Sequence, residues 1–262
     1  MVVGGRSSHA PRIREDGTRE FSRLRDYAGR GVLTTATYEA RALGLNSAMP
    51  TMQAAKLAPD AILLPVNFDL YRHYSRLFKE AIRSISPQVE NIGIDEVYAD
   101  VSTLPEDAHE IAQRLKSAVF AATGLTCSVG IAPNKLLAKL CSEMQKPDGI
   151  TVITMADIPG RIWPMPAKKI NGIGPKASAK LESLEIKTIG QIAGMSEAWL
   201  VEHFGKSYGR WLYRVSHGQD DRPVVTESAP VSMSRETTFE RNLHPVRDKP
   251  ALSQAFTQLC ER

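Results

Sequence analysis

The pattern of apolar residues changes at about Met155, and this change divides the chain into two kinds of structure. Before it, short apolar runs alternate with amphipathic segments, which predicts strands between helices. After it, short helical segments separated by glycine-rich turns follow one another up to residue 218. The chain is therefore predicted to belong to the α+β class, with a separate all-helical module in its second half.

The composition indicates a protein with a buried core. Of 262 residues, 42% are apolar, and the net charge of +4 permits a polyanionic partner without requiring one. No apolar run approaches the roughly 20 residues of a membrane span, and the first twelve residues lack the apolar region of a secretory signal. Three sparse cysteines without a CxxC pair argue against a disulfide framework or a zinc site, and they predict a cytoplasmic location.

Residues 1–30 are polar and rich in Gly and Arg, and we expect a loop there with a short helix around Glu20–Tyr27. The apolar pattern then predicts the following elements. Strands are expected near 31–36, 61–66, 89–102 (two segments), 126–133, 150–154 and 231–243, and helices near 38–44, 49–59, 68–86, 107–124, 134–146, 168–184, 188–195, 196–205, 207–218 and 249–262. Residues 219–230 are expected to form a polar linker.

Two of these helices have well-defined apolar faces. We expect the first to bury Leu70, Tyr74, Leu77, Phe78, Ala81 and Ile82, and the second to bury Ile111, Leu115, Val119 and Ala122.

Two acids, Asp95 and Glu96, stand inside an apolar strand pattern, where charge is costly unless it is paired or metal-bound. Mg²⁺ prefers such hard oxygen ligands together with water and phosphates. Because neighbours on an ideal strand point to opposite faces, both acids reach one metal ion only where the strand ends, turns or bulges. Since most Asp-Glu dipeptides are solvated, the residues alone leave a metal site and a solvated edge open.

Thr35, Tyr38 and Arg41 form a candidate phosphate site. If Tyr38 begins a helix, Tyr38 and Arg41 share a face, and a hydroxyl, a phenol, a guanidinium and a helix N-terminus converge. Lys146, at the end of the helix expected over 134–146, adds a point charge. The alternative is a surface helix with an ordinary arginine and a half-buried tyrosine.

Residues 170–174 predict a helix-hairpin-helix motif, with a tight turn at Gly172 and Gly174 and with Ile170 and Ile173 packing inward. The glycines allow a phosphate to approach backbone N–H groups, and the next helix points its positive end at the same place. Such a motif holds the DNA backbone without reading its sequence. The alternative is a plain helical hairpin with a solvated lysine face; the lysines are Lys168, Lys169, Lys176 and Lys180.

Four segments together resemble the Y-family of DNA polymerases, of the bacterial polymerase IV type. They are residues 36–50, 91–102, 127–149 and 168–184, and they occur in the family's order at suitable separations. Each segment alone is modest evidence, but four in order are highly specific.

The resemblance implies a right-hand architecture with four parts. These are an N-terminal loop with small fingers (1–66), a ferredoxin-like palm (67–155), a helix-hairpin-helix thumb with its linker (156–230) and the start of a little finger (231–262). It implies a template-directed polymerase of the translesion type, acting in DNA repair and damage tolerance. Such an enzyme adds deoxynucleotides to a primer 3′ end by two-metal nucleotidyl transfer, with two Mg²⁺ ions.

The same resemblance implies residue roles. Asp95 would ligate metal and Glu96 would be the second catalytic acid. Thr35, Tyr38, Arg41 and Lys146 would hold the incoming deoxynucleoside triphosphate, and the primer-template DNA would be held by Gly172, Gly174, Lys176, Lys180 and Lys139. A sliding clamp is an open further partner, and a monomer is expected.

The chain departs from the family at both ends. The family opens with a strand whose Asp binds both metal ions, followed by an aromatic residue that rejects ribonucleotides, and nothing here matches it. Glu15 and Asp16 lie in a polar loop without an apolar strand before them, and segment 7–27 is longer than the usual turn. We therefore expect a chain truncated at both ends. The alternative function is a catalytically impaired DNA-binding fragment or accessory module.

Overall fold

The structure is a computed structural model that describes residues 1–227 and 229–261. Ser228 of the predicted linker and Arg262 of the last predicted helix lie outside them. The chain forms two compact units. One consists of residues 1–69 and the stretch from residue 229 on, and the other begins at residue 70 and ends before that stretch. No helix in the described residues has the length and apolar character needed to span a membrane.

The elements follow the predicted alternation. The strands are β1 (Val2–Gly5), β2 (Arg12–Ile13), β3 (Arg19–Glu20), β4 (Thr35–Ala36), β5 (Leu63–Pro65), β6 (Val89–Asn91), β7 (Val97–Ala99), β8 (Val129–Ile131) and β9 (Ile150–Val152). The helices are α1 (Tyr38–Ala42), α2 (Thr51–Leu57), α3 (Phe68–Arg83), α4 (Ala108–Thr123), α5 (Lys135–Met144), α6 (Pro175–Ser183), α7 (Ile189–Ala193), α8 (Glu197–Phe204), α9 (Lys206–Ser216) and α10 (Lys249–Cys260).

In the first unit, β1 lies at the centre of a three-stranded sheet. It is antiparallel to β4 and parallel to β5, and β2 pairs with β3 in a separate hairpin. The prediction of a loop over residues 1–30 was wrong for β1 and for the β2–β3 hairpin. A four-residue strand ending in two glycines and a pair of two-residue strands carry little local signal, and they form only through their pairing partners. The expected helix around Glu20–Tyr27 is only a 3₁₀ turn over Leu24–Asp26.

The C-terminal stretch contains one wrong prediction. Residues 231–243 form no strand. Val231 is fully exposed and Met233 is 86% exposed, and a β-propensity pattern forms a strand only when a partner strand lies beside it. The helix expected next is confirmed as α10.

In the second unit, β6 and β7 form an antiparallel hairpin, and β8 and β9 a parallel pair. α4 is capped at both ends: the Asp107 carboxylate accepts hydrogen bonds from the His109 and Glu110 amides, and Gly124 adopts a left-handed conformation after the last turn. Three residues of its predicted face are buried, but Ala122 is exposed because it lies in that last turn.

The apolar stripe of α3 is less buried than predicted. Leu70 is 46% exposed, and its other members are only partly buried; they are Tyr74, Leu77, Phe78, Ala81 and Ile82. Ser75 is the one fully buried residue of the helix.

One apolar core joins α5 to the helical half of this unit. It contains residues of α5, such as Leu137, together with residues of α6 to α9, such as Leu181 and Leu212. The expected palm and thumb therefore share a core here, while the exact domain boundaries stay a prediction.

β8 packs directly against α5, and Gly130 makes this contact. A Cβ atom at Gly130 would overlap the Ala138 carbonyl oxygen and lie 2.5 Å from the Ser142 amide nitrogen. Both obstacles are backbone atoms of a helix, so they cannot move aside.

We predict that Gly130→Ala lowers the free energy of unfolding by about 3 kcal/mol, because the added methyl forces β8 away from α5. Gly160→Ala is the matched control, since nothing lies within 4 Å of its Cβ position. Urea denaturation followed by circular dichroism measures both. Equal stability of the two variants would contradict this packing.

Candidate functional site

Asp95 and Glu96 lie at the tip of the β6–β7 hairpin. The last cross-strand pair is Asn91 with Val97, and the amides of Ile92 and Gly93 both donate to the Glu96 carbonyl oxygen at 3.2 Å. The strand thus turns where the two acids stand, which is the condition under which both can reach one ion. Asp95 is exposed and Glu96 is partly exposed.

Lysines from two helices bracket this tip. Lys139 of α5 forms an ion pair with the Glu96 carboxylate. Lys79 of α3 donates to the Gly93 carbonyl oxygen at 2.6 Å. Burial and the nearby Arg83 lower the pKa of Lys79, and the charge of Asp95 partly offsets this. The tip is therefore surrounded by positive charge on both sides.

The contacts continue along α5. Lys139 lies 3.3 Å from Glu143, whose carboxylate accepts from Lys146 at 2.6 Å. Burial acts to lower the pKa of Lys139, but the carboxylates of Glu96 and Glu143 outweigh it and raise that pKa. Burial likewise acts to raise the pKa of Glu143, but Lys146 and Lys139 lower it. A row of alternating charges thus connects Glu96 with Lys146. Glu96 is a predicted catalytic acid, and Lys146 is a residue predicted to bind the triphosphate.

A second ion pair lies at the base of the hairpin. Lys135 is 2.6 Å from Glu90, and only 9% and 17% of their side chains are exposed. The same two groups hold the predicted linker: Lys135 donates to the Pro223 carbonyl, and Glu90 accepts from the Val225 amide. Burial acts to raise the pKa of Glu90, but Lys135, the Val225 amide and other cations lower it.

The side chains at the tip supply some, but not all, of the ligands that a magnesium site needs. Asp95 and Glu96 supply two hard carboxylates, which fit an ion that takes its other ligands from water and phosphates. No group of three or more His, Cys, Asp or Glu side chains suited to a metal ion occurs in residues 1–227 and 229–261. The pair thus fits one partly hydrated ion, and falls short of the three acids usual in a two-ion site.

Three of the four predicted phosphate residues belong to the first unit, and the fourth, Lys146, belongs to the second. Thr35 is in β4, Tyr38 is the first residue of α1, and Thr37 caps the helix, its hydroxyl accepting from the Ala40 amide. The guanidinium carbon of Arg41 lies 6.0 Å from the centre of the Tyr38 ring, so both side chains share one face, as the spacing predicted. Tyr38 is 56% exposed.

In the second unit, the glycine turn at 172–174 has the predicted inward isoleucines: Ile170 is 1% and Ile173 6% exposed. Gly172 has φ +108°, and a Cβ there would lie 2.6 Å from the Trp211 ring. Tyr208 donates its hydroxyl to the Gly172 carbonyl at 2.8 Å. Gly172 is therefore required both by its backbone angle and by the aromatic ring behind it.

The first half of this motif is shorter than expected. Instead of a helix, a single 3₁₀ turn over Ala167–Lys169 precedes the glycine turn. Pro164 and Pro166 stand just before it, and proline prevents a helix from continuing through them. The second half is α6, which begins with Pro175 after Gly174, an arrangement typical of helix starts.

The lysines around the turn differ in their contacts. Lys168, Lys169 and Lys176 are exposed. Lys180 instead donates to the His203 carbonyl oxygen and lies 5.0 Å from the centre of the Phe204 ring. Its charge is thus partly committed within the protein, as is that of Lys139.

Sequence reasoning missed several residues of the site. Lys135 and Glu143 were not predicted, and Lys139 was predicted only as a contact to DNA. All three recur every four residues along α5, so a helical wheel would have placed them on one face. Their partners Glu90 and Glu96 belong to a hairpin distant in sequence, and no local pattern indicates that contact. The same holds for Trp211 behind Gly172.

Two family descriptions match the chain. Residues 3–143 match the impB/mucB/samB family, and residues 165–219 match the helix-hairpin-helix motif described as DNApol eta/Rev1. The first match covers the hairpin tip and α5, and the second covers the glycine turn.

Individual proteins agree with these matches. A DNA polymerase IV of Mannheimia succiniciproducens is 38% identical over 242 residues, which are 88% of this chain and 68% of the relative. DinB from Sulfolobus solfataricus superposes with a TM-score of 0.68 at 29% identity, over 74% of this chain and 58% of that structure.

A Y-family DNA polymerase chimera gives a TM-score of 0.72 at 27% identity, over 87% of this chain and 63% of that one. The similarity supports the predicted fold class of a right-hand polymerase with a helix-hairpin-helix module. The chain spans about three fifths of the length of these solved structures.

We predict that Gly172→Ala lowers the free energy of unfolding by about 1–3 kcal/mol, because alanine disfavours its positive φ and would overlap Trp211. Gly174→Ala is the control: its Cβ position has nothing within 4 Å, so it should cost less than about 1 kcal/mol. Chemical denaturation measures both. A Gly172→Ala protein as stable as the control would contradict the packing described.

Proposed function

We propose, because this chain belongs to the Y-family of DNA polymerases, that it carries the nucleotidyl-transfer centre of a translesion-type DNA polymerase. The substrates would be a primer-template DNA and deoxynucleoside triphosphates, and the setting would be DNA repair and damage tolerance. In the reaction, the primer 3′ hydroxyl attacks the α-phosphate and pyrophosphate leaves.

The observation that carries this proposal is the Asp95–Glu96 turn with its bracket of lysines. Two hard carboxylates at an exposed turn, beside a row of alternating charges that ends at Lys146, suit a centre that handles both metal and phosphate charge. When bound, two Mg²⁺ ions would neutralise charge on the reacting phosphates. Asp95 and Glu96 would hold them, with further ligands from phosphates, water or another acid.

The triphosphate itself would be bound by Thr35, Tyr38, Arg41 and Lys146. Arg41 offers paired N–H donors for phosphate oxygens, Thr35 and Tyr38 offer hydroxyls, and Lys146 offers a point charge. The Nε of Arg41 donates to the Ala36 carbonyl at 3.0 Å, which would fix the guanidinium plane while its two terminal nitrogens face a ligand.

DNA would be held by the glycine turn. We propose that the backbone amides at Gly172 and Gly174, together with Lys176, contact phosphates without reading bases. Lys180 and Lys139 remain candidates, but their internal partners would have to be given up first. A sliding clamp, a monomeric state and a cytoplasmic location are proposed on the family likeness and the composition.

A second function is favoured by one observation, the lack of a third metal-ligating side chain near the tip among the described residues. A chain with this site could bind DNA through its glycine turn and still synthesise none. Primer extension separates the two functions, because only the first requires the tip.

We predict that Asp95→Asn reduces the rate of primer extension with Mg²⁺ by at least about a hundredfold, because it removes a carboxylate charge proposed to bind the metal ions. Each tenfold loss of rate corresponds to roughly 1.4 kcal/mol of transition-state stabilisation. Asn keeps the shape of the side chain and removes its charge. The matched control is Glu202→Gln, an exposed acid on α8, which should extend primers like the unchanged chain.

Three outcomes are distinct in this experiment. Extension that Asp95→Asn abolishes supports the polymerase. Extension unaffected by Asp95→Asn refutes the role of the tip. Salt-sensitive DNA binding without extension by the unchanged chain supports the second function.

We also predict that Lys176→Gln flattens the salt dependence of duplex DNA binding. Each phosphate contact contributes about 0.9 to the slope of log K against log salt, so this variant should lose about that amount. Lys180→Gln should lose less, because its ammonium is bonded to the His203 carbonyl. Fluorescence anisotropy at several salt concentrations measures the slopes, and an unchanged slope for Lys176→Gln would refute its contact with DNA.

A further inference from the structure

Two lysines one turn apart join α5 to the carboxylate hairpin. Lys135 and Lys139 lie on one face of the helix, at positions i and i+4. Lys135 pairs with Glu90 on β6, and Lys139 pairs with Glu96 at the tip. One helix therefore contacts the hairpin at its base and again at its end.

The two pairs differ in how firmly they are held. The base pair is largely buried, and each partner makes a second hydrogen bond, to Pro223 or to Val225. At the tip, Lys139 is 19% and Glu96 is 41% exposed. A buried, fully bonded pair resists exchange, whereas a partly exposed pair can change partners at small cost.

Lys139 also has a second acceptor ready. Glu143 lies 3.3 Å from its ammonium group and one turn further along α5. If Glu96 takes another cation, Lys139 can stay paired with Glu143 without crossing solvent. No new buried charge is left uncompensated by this exchange.

From these contacts we infer that Lys139 is a positioning residue for Glu96. Its ammonium group holds the tip in place while no divalent cation is bound. When a divalent cation binds the Glu96 carboxylate, Lys139 releases Glu96 and stays paired with Glu143. Lys135 does not exchange and keeps the hairpin attached to α5 throughout. The replacement of Lys139 by a metal ion at Glu96 rests on the function proposed above. The ion pair by which Lys139 fixes the tip does not rest on it.

Hydrogen exchange of the metal-free, full-length chain tests the hold. The Ile92 and Gly93 amides bond to the Glu96 carbonyl, so they report directly on the tip. Lys139→Met should accelerate their exchange at least about threefold, and Lys139→Arg should restore the slow rate because it keeps the charge. Lys206→Met, which removes an exposed lysine of α9, is the control and should change nothing.

A double variant identifies the partner. Glu96→Gln should accelerate the same amides as much as Lys139→Met, and the two changes together should accelerate them no further, because they remove one shared contact. Unchanged exchange in Lys139→Met, or fully additive effects, would overturn the inference. Thermal denaturation of each variant checks that the fold is kept. If Lys139→Met does not fold, Glu96→Gln carries the test, because it removes the same contact, and unchanged exchange in Glu96→Gln would then overturn the inference.

Mn²⁺ binding, followed by electron paramagnetic resonance, tests the exchange. Lys139→Met should bind Mn²⁺ roughly threefold to tenfold more tightly than the unchanged chain, because a competing positive charge is gone. Lys139→Arg should bind like the unchanged chain. A merely structural lysine would give equal or weaker binding in Lys139→Met, and this result would overturn the exchange.

The same titration separates this inference from the proposed function. Glu96→Gln should weaken Mn²⁺ binding. If Glu96→Gln has no effect, the metal role of the tip fails, and with it the exchange step. The hydrogen-exchange result then still decides whether Lys139 holds the tip.

Discussion

The pairing of negative charge on the β6–β7 hairpin with positive charge on α5 is the interaction on which the candidate site depends. Two adjacent carboxylates at a short turn repel each other, and the turn itself is closed only by bonds to one carbonyl oxygen. Lys139 supplies the opposite charge at the tip, and Lys79 fixes the backbone from α3. These two lysines place the tip, while the pair of Lys135 and Glu90 holds the base of the hairpin.

The ion pairs at the two ends of the hairpin differ in burial. The buried pair at the base contributes to stability, and the more exposed pair at the tip lies at the candidate site. At the base, the pair of Lys135 and Glu90 is shielded from water and also binds the segment after α9. Loss of one partner there would leave a buried charge without compensation. At the tip, Glu96 is partly exposed, so its pair with Lys139 is less shielded from water than the pair at the base.

The sequence predicted most elements because their signals are local. The helices α4 and α5 and the glycine turn at 172–174 depend on patterns among neighbouring residues, and all three were predicted. β1 was missed and a strand over 231–243 was wrongly expected, because pairing with distant strands decides both. The candidate acids were also found, because they interrupt an apolar pattern that predicts two strand segments. Their contact with Lys139 was not predicted, because that lysine lies on a helix distant in sequence.

The most direct measurement is the position of a metal ion in crystals of this chain with primer-template DNA, a non-hydrolysable deoxynucleoside triphosphate and Mn²⁺, located by anomalous scattering. If the hairpin tip is the nucleotidyl-transfer centre, the anomalous peak lies within bonding distance of carboxylate oxygens of both Asp95 and Glu96 and of a triphosphate oxygen. A bound triphosphate whose Mn²⁺ contacts neither acid, with Glu96 still paired to Lys139, would contradict this account.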